Sequence, residues 1–139
     1  MSVDLGAGLF AWAKTIPALT ALIGDGVSSE CRFFPISVQS AKTPPIIYYD
    51  ENEHEQVITQ DAPATTSSPT VIFSCVDVSA SKAEALGALL KANLLAVRYT
   101  GALGSVTVLG IYFESATRAY QWSEQQFAMD LTFRIFHRD

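Results

Sequence analysis

The clearest strand-then-helix pattern in the sequence is Val71-Ile72-Phe73-Ser74-Cys75-Val76-Asp77-Val78, followed closely by Ser81-Lys82-Ala83-Glu84. The first run is rich in β-branched and apolar residues, which predicts a buried strand. The second run has the spacing of a capping box, in which the Ser81 hydroxyl accepts from the Glu84 N–H and begins a helix. An apolar stripe at helical spacing then predicts that this helix packs on a sheet; it comprises Leu86, Leu89, Leu90, Leu94 and Val97.

Two more strands are predicted near the C-terminus. Val106–Phe113 is rich in β-branched residues and is broken by Gly110. Phe127–Ile135 alternates apolar and polar residues, which is typical of a strand with one buried face. The segment between them, Glu114–Glu124, is polar. We therefore predict a hairpin with a flared tip.

The N-terminal region predicts a helix over residues 3–16 and places Trp12 in the core. Pro17 interrupts this helix, and one or two further turns are predicted for Pro17–Ile23. The apolar stretch lacks a basic n-region and is broken by charged residues, so neither a signal peptide nor a membrane span is predicted. Short strands are predicted for residues 31–38 and for Ile46–Tyr49.

The net charge of −5 lies in one short segment. The acids between positions 50 and 61 have no Lys or Arg among them; they are Asp50, Glu51, Glu53, Glu55 and Asp61. With the proline-punctuated stretch Ala62–Pro69, they predict a long acidic, Pro/Ser/Thr-rich loop over residues 50–69. An acidic balance also argues against nucleic acid as the main ligand.

These elements predict one domain spanning residues 1–139 and an α+β fold. The expected architecture is a single mixed or antiparallel β-sheet with two helices packed on one face. The long loop would lie between strands two and three.

Three functions are open for the acidic loop: a solvated loop, a charged contact surface for a partner, or a metal or acid–base site. The spacing matches no EF-hand, and a loop is a poor mount for paired catalytic carboxylates. An enzyme or small-ligand domain would have to use His54 with Glu51 or Glu55. From the residues we predict no enzyme, with no catalytic, cofactor-binding or metal site.

Two other features are singled out. Cys31 and Cys75 lie in apolar contexts and are predicted to be reduced core thiols. Tyr120 and Trp122 lie at the predicted hairpin tip beside Arg118, and exposed aromatic residues there suggest a protein contact. The candidate protein-interaction residues are therefore Asp50, Glu51, Glu53, His54, Glu55, Asp61, Arg118, Tyr120 and Trp122.

The layout of the chain resembles a known family over nearly its whole length. The resemblance is carried by the N-terminal helix ending in Pro17-Ala18-Leu19-Thr20-Ala21-Leu22-Ile23-Gly24-Asp25-Gly26-Val27, by Pro44-Pro45-Ile46-Ile47-Tyr48-Tyr49-Asp50, and by the strand–helix unit Val71–Val97. It is similar to the tail terminator or tail completion proteins of long-tailed bacteriophages, which include the lambda-like tail terminator and minor tail proteins.

The resemblance implies a structural virion subunit that assembles into a hexameric homo-oligomeric ring. Such a ring would sit at the head-proximal end of the tail, stop polymerisation of the tail tube protein and offer a joining surface to the head–tail connector protein. DNA would pass through it without specific binding, and no membrane or cofactor is implied. The subunit would be made in the host cytoplasm and found in the virion. A connector-side adaptor ring of the neck remains an alternative, as does the enzyme or ligand-binding domain.

Overall fold

The computed structural model describes residues 5–24, 32–35, 45–51, 56–59, 62–67, 69–121 and 126–138. These residues form three helices and eight strands. The helices are α1 (Leu5–Lys14), α2 (Pro17–Ile23) and α3 (Ala80–Thr100). The strands are β1 (Phe33–Pro35), β2 (Ile46–Glu51), β3 (Gln56–Thr59), β4 (Ala62–Ser67), β5 (Thr70–Asp77), β6 (Ala102–Leu103), β7 (Val106–Gln121) and β8 (Gln126–Arg138).

Strand β8 lies at the centre of a curled, mixed sheet. It pairs antiparallel with β5 on one side and with β7 on the other. Beyond β5 comes β2, which is antiparallel to it, and then β1, which is parallel to β2. The two-residue strand β6 pairs with the start of β7.

Strands β3 and β4 form an antiparallel ribbon that continues the pairing of β2 with β5. The register of β2 on β5 runs from Ile46↔Val76 to Glu51↔Val71, and that of β3 on β4 runs from Gln56↔Ser67 to Thr59↔Ala62. The end of β4 also pairs with the last residues of β8. We call the β3–β4 ribbon the arm, because it extends the sheet past β5.

The core lies between one face of the sheet and the three helices. Alternate residues of the central strands supply the sheet side, including Phe73 of β5 and Phe133 of β8, which pack edge to face with ring centroids 5.8 Å apart. Helix α3 presents Leu86, Leu90 and Leu94 to this face. The alternation of apolar and polar residues along β8 therefore corresponds to burial of the side chains that face the helices.

Helix α3 begins two residues earlier than the capping box predicted. Ser79 is its N-cap, and the helix starts at Ala80, which places Ser81 inside the first turn. The Ser79 side chain makes no cap hydrogen bond, and its hydroxyl lies 3.0 Å from the Ser81 hydroxyl. The capping-box prediction is wrong, because the Glu84 side chain binds across to the sheet instead.

Pro17 separates α1 from α2 as predicted, and the two helices are bent by 92° relative to each other. In the part of the chain that the structure describes, no single helix is long and apolar enough to cross a bilayer, and the α1–α2 pair meets that test only when both are counted together. Trp12 is buried, as predicted. Gly8 allows α1 to contact the β6–β7 turn: a Cβ there would lie 2.7 Å from the Leu103 carbonyl oxygen.

The predicted fold class is wrong in its architecture. The described residues form three helices rather than two, because the 92° bend makes α2 an independent helix. The sheet is curled and carries additional strands, so it is not a simple sheet covered by two helices. The predicted loop over residues 50–69 contains β3 and β4, since backbone pairing does not require an apolar face.

The C-terminal hairpin is also longer and more regular than predicted. Strand β7 continues through the polar segment to Gln121, where it pairs with Gln126. The expected flared tip is therefore wrong for residues 114–121, which are paired with β8. Both strands shift register at two bulges, Val108/Gly110 and Phe113/Ser115, so the predicted break at Gly110 corresponds to a bulge.

Candidate protein-interaction site

The acidic segment enters the structure through β2, and its first two acids point to opposite faces of the sheet. Asp50 is paired with Ile72 and Glu51 with Val71, so adjacent positions alternate. Both side chains are half-buried. Asp50 and Glu51 therefore do not form one acidic cluster. Glu53, His54, Glu55 and Asp61 lie outside the described residues.

Arg118 connects the β7–β8 hairpin to helix α3. Its Nε atom lies 2.6 Å from Glu84 Oε1, and the side chains are 77% and 36% exposed. An ion pair this exposed contributes only about 0–1 kcal/mol, so it orients the two elements more than it stabilises them. Tyr120 is half-buried and packs on Phe127, with centroids 4.5 Å apart. Trp122 lies outside the described residues.

A positively charged seam runs where α3 meets β7. The Lys91 ammonium lies 3.8 Å from the centroid of the Phe113 ring, which is a close cation–π contact. Glu84, Lys91 and Arg98 share one side of α3, because they are separated by seven residues each. Two cations therefore have contacts across this seam, Lys91 with Phe113 and Arg118 with Glu84, whereas Arg98 contacts its neighbour Tyr99.

The sheet face opposite the helices is polar along its middle. Ser74 donates a hydrogen bond of 2.6 Å to Asp130, and Arg134 lies 3.6 Å from Glu114. Near its end Tyr112 packs edge to face on Phe136, with centroids 5.6 Å apart. Tyr112 is 59% exposed on this face, and Tyr99 at the end of α3 is 78% exposed.

Two side chains that can carry chemistry, Cys75 and His137, are buried in the structure. Burial, with a smaller effect of the Asp130 charge, raises the pKa of the Cys75 thiol from 9.0 to about 12. The thiolate is the nucleophilic form, so this cysteine is inert near neutral pH. His137 is fully buried, and its Nδ1 lies 3.1 Å from the Arg138 carbonyl oxygen. No group of three His, Cys, Asp or Glu side chains among these residues is placed to hold a metal.

A small groove lies between the start of α3 and the hairpin. Its lining includes the small or apolar residues Ala83, Ala119 and Met129, together with Glu84 and Arg118.

The two cysteine predictions have different outcomes. Cys75 is buried and unpaired, as a reduced core thiol should be. Cys31 lies outside the described residues. The contact that sequence reasoning missed is Glu84–Arg118, because 34 positions separate the partners and only the hairpin register brings them together.

The chain is similar in fold to a chain in a solved structure described as "Virion of native gene transfer agent (GTA) particle". The TM-score is 0.68 at 17% sequence identity, and the alignment covers 97% of this chain and 95% of that chain. No protein-family model matches the sequence, and no curated protein matches it. The two chains therefore share one fold from end to end.

Proposed function

We propose that this protein is a structural component of a phage-like virion that forms a ring at the head-proximal end of the tail. The ring would stop growth of the tail tube and provide the surface that meets the head–tail connector. It would be a homo-oligomer, with six subunits as the family resemblance implies. DNA would pass through its centre without being held.

One observation carries this proposal: the fold is shared with a virion component over almost the whole of both chains. Because the alignment covers 97% of this chain and 95% of that chain, the likeness is not confined to a small recurring substructure.

The surface chemistry is compatible with this role. The chain carries an acidic excess of −5, which disfavours tight binding of a polyanion. The sequence has five acids between positions 50 and 61, and the described residues include cations where α3 meets β7 and exposed aromatic side chains. Such features suit assembly through protein contacts.

The test is the assembly state, measured by native mass spectrometry and sedimentation velocity across a wide concentration range. We expect a closed oligomer in equilibrium with smaller species, and class averages from negative-stain images should show a ring with a central opening. Added to polymerising tail tube protein, the ring should bind tube ends and shorten the tubes. A chain that stays monomeric at every concentration, with tube protein present, would contradict the proposal.

Binding to isolated partners distinguishes the tail-end role from that of a connector-side adaptor. Immobilised tail tube protein should retain this chain more strongly than immobilised connector protein does. The reverse preference would place the ring on the connector side of the neck and replace the terminator role with the adaptor role.

A further inference from the structure

The sheet ends in a long strand edge that is open among the described residues. Strand β7 pairs with β8 along its length, whereas β6 covers its other edge only at Val106 and Thr107. The N–H of Val108 is then taken by the Gly101 carbonyl at 2.8 Å. From Leu109 to Gln121, the part of the chain that the structure describes places no strand on this edge.

The last part of this edge is regular enough to pair with an additional strand. Both bulges of β7 lie before Ser115, and the register from Ser115↔Thr132 to Gln121↔Gln126 is continuous. Protected edges usually carry bulges, Lys or Pro, but Ser115–Gln121 has neither Lys nor Pro. Its side chains are mostly small and exposed, and its one charge, Arg118, is held by Glu84.

The arm supplies a second edge on the same chain. Strand β3 pairs with β4 on one side, and the described strands leave its other side open. An open edge at each end of one sheet allows copies of the chain to join head to tail. Heterologous joining of this kind closes into a ring when the rotation between copies permits it.

The two edges differ in the charge around them. Strands β3 and β4 carry no charge, but residues 50–61, which include β3, contain five acids and no Lys or Arg. The one charge on the Ser115–Gln121 edge is Arg118, and the Lys91 ammonium lies over the Phe113 ring just before it. Pairing of β7 with β7 of a second copy, centred on this stretch, would instead place the two Arg118 side chains opposite each other, and like charges at that position are unfavourable.

We propose that the arm of one subunit adds, through β3, to the Ser115–Gln121 edge of β7 in the next subunit. This inference rests on the proposed ring, for which it names the joining surface. Main-chain hydrogen bonds supply the contact, and the acids that flank β3 in the sequence favour the side of β7 that carries Arg118 and lies near Lys91. The partner is a second copy of this chain, because a single chain carries both edges and both charges.

Two variants separate the two halves of this interface. In the first, a Gly-Asn-Gly linker replaces residues 52–68, so the chain keeps its β7 edge but has no arm to donate. In the second, Ala116→Glu and Arg118→Glu place negative charge on the β7 edge, so the chain keeps its arm but repels an incoming one. A matched control carries the same change in net charge on an exposed helical surface, as Lys14→Glu with Ala18→Glu.

Native mass spectrometry of these chains tests whether the arm of one chain binds the β7 edge of another. Each variant alone should be monomeric, whereas an equimolar mixture should form a one-to-one heterodimer and nothing larger, because only one interface can be made. The control should form rings as the wild type does. Complete rings from the arm-less chain, or absence of the heterodimer while the wild type forms rings, would overturn the inference and leave the proposed function standing.

Disulfide trapping in the full-length chain gives an independent measurement, should the arm-less variant fail to fold. In a background with Cys31→Ala and Cys75→Ala, one chain carries Val57→Cys and another carries Thr117→Cys or Ala119→Cys. Mixed oxidation should give at least tenfold more heterodimer than a pairing with the exposed position Val78→Cys. Equal yields would overturn the inference, and a wild-type chain that never oligomerises would refute the proposed function itself.

Discussion

The β7–β8 hairpin and the arm are both antiparallel ribbons, but they relate to the core in different ways. In the hairpin, Leu131, Phe133 and Ile135 are buried against the helices, and β8 is paired on both sides. The arm meets β8 only at Thr66 and Ser67 and otherwise pairs within itself. One ribbon is held by burial and the other by its own backbone hydrogen bonds. We therefore expect the hairpin to govern stability and the arm to be available for a partner.

Proline substitutions in the two ribbons should give the largest contrast. Thr132 of β8 pairs with Ile72 on one side and with Ser115 on the other, so Thr132→Pro removes a ladder position from the middle of the sheet. We expect a loss above about 4 kcal/mol in the free energy of unfolding, which is exceptional for one substitution. Thr66→Pro, in the arm, should leave the main unfolding transition within about 1 kcal/mol.

Chemical denaturation followed by circular dichroism measures both proline variants. Hydrogen exchange then shows where each acts, with faster exchange in Thr66→Pro confined to the arm and the adjoining end of β8. Equal destabilisation by the two substitutions would mean that the arm belongs to the same cooperative unit as the hairpin.

Glycine-to-alanine substitutions test how closely α1 packs on the β6–β7 turn and how closely α3 packs on β8. A Cβ at Gly8 would lie 2.5 Å from Val106 Cγ2 and 2.7 Å from the Leu103 carbonyl oxygen, which is backbone and cannot rotate away. We expect Gly8→Ala to cost about 1–3 kcal/mol. At Gly87 the nearest atom, Met129 Cγ, is 3.0 Å away on a flexible side chain.

The matched variant Gly87→Ala should therefore cost much less, because the gain in helix propensity of about 1 kcal/mol offsets the displaced methionine. Thermal unfolding of both variants gives the comparison. A larger loss in Gly87→Ala than in Gly8→Ala would contradict the ranking of the two contacts.

Cys75 lies in β5, and ionisation of its thiol should lower the free energy of unfolding at alkaline pH. Its pKa is raised from 9.0 to about 12 in the folded chain, so the unfolded chain loses the proton first as the pH rises above 9. The free energy of unfolding then falls by about 1.4 kcal/mol per pH unit until the pH reaches the pKa of the thiol in the folded chain. At pH 10 the wild type should have lost roughly that amount through this group.

The measurement compares unfolding at pH 8 and pH 10 for Cys75→Ala and its parent, both in a Cys31→Ala background. The difference between the two chains isolates this thiol from the tyrosines and lysines that titrate in the same range. Parallel pH profiles for the two chains would show that Cys75 is not shielded from water in the folded state.

The smallest effect is expected at the hairpin's ion pair. Arg118→Ala should change the free energy of unfolding by less than about 1 kcal/mol, because both partners are exposed. A double-mutant cycle with Glu84→Gln, repeated at high salt, measures the coupling. A coupling that is larger than this and insensitive to salt would mean that the pair is buried in solution, for instance by a neighbouring subunit.

The sequence predicted correctly those elements whose apolar side chains are buried in the core. The strand at 71–78, the helix packed on it and the alternation of β8 all follow from apolar patterns that the core requires. Trp12 and the break at Pro17 were predictable for the same local reasons. The arm was not predictable in this way, because Gln56–Thr59 and Ala62–Ser67 show no apolar alternation in the sequence.

Two features of the candidate site depend on register, which local patterns do not encode. The separation of Asp50 from Glu51 follows from their pairing with β5, and the Glu84–Arg118 contact follows from the pairing of β7 with β8. The capping box at Ser81 has a convincing spacing, yet the real N-cap is two residues earlier, since Glu84 has a better partner on the sheet.

The direct continuation of the arm into β5 has a mechanical consequence. Strand β5 is joined to β8 by eight consecutive residue pairs, from Thr70↔Arg134 to Asp77↔Phe127. A pull on the arm along the strand direction would load these pairs in shear, so that they resist together rather than opening one after another. A subunit anchored to its neighbour in this way would transmit tension into its own central sheet.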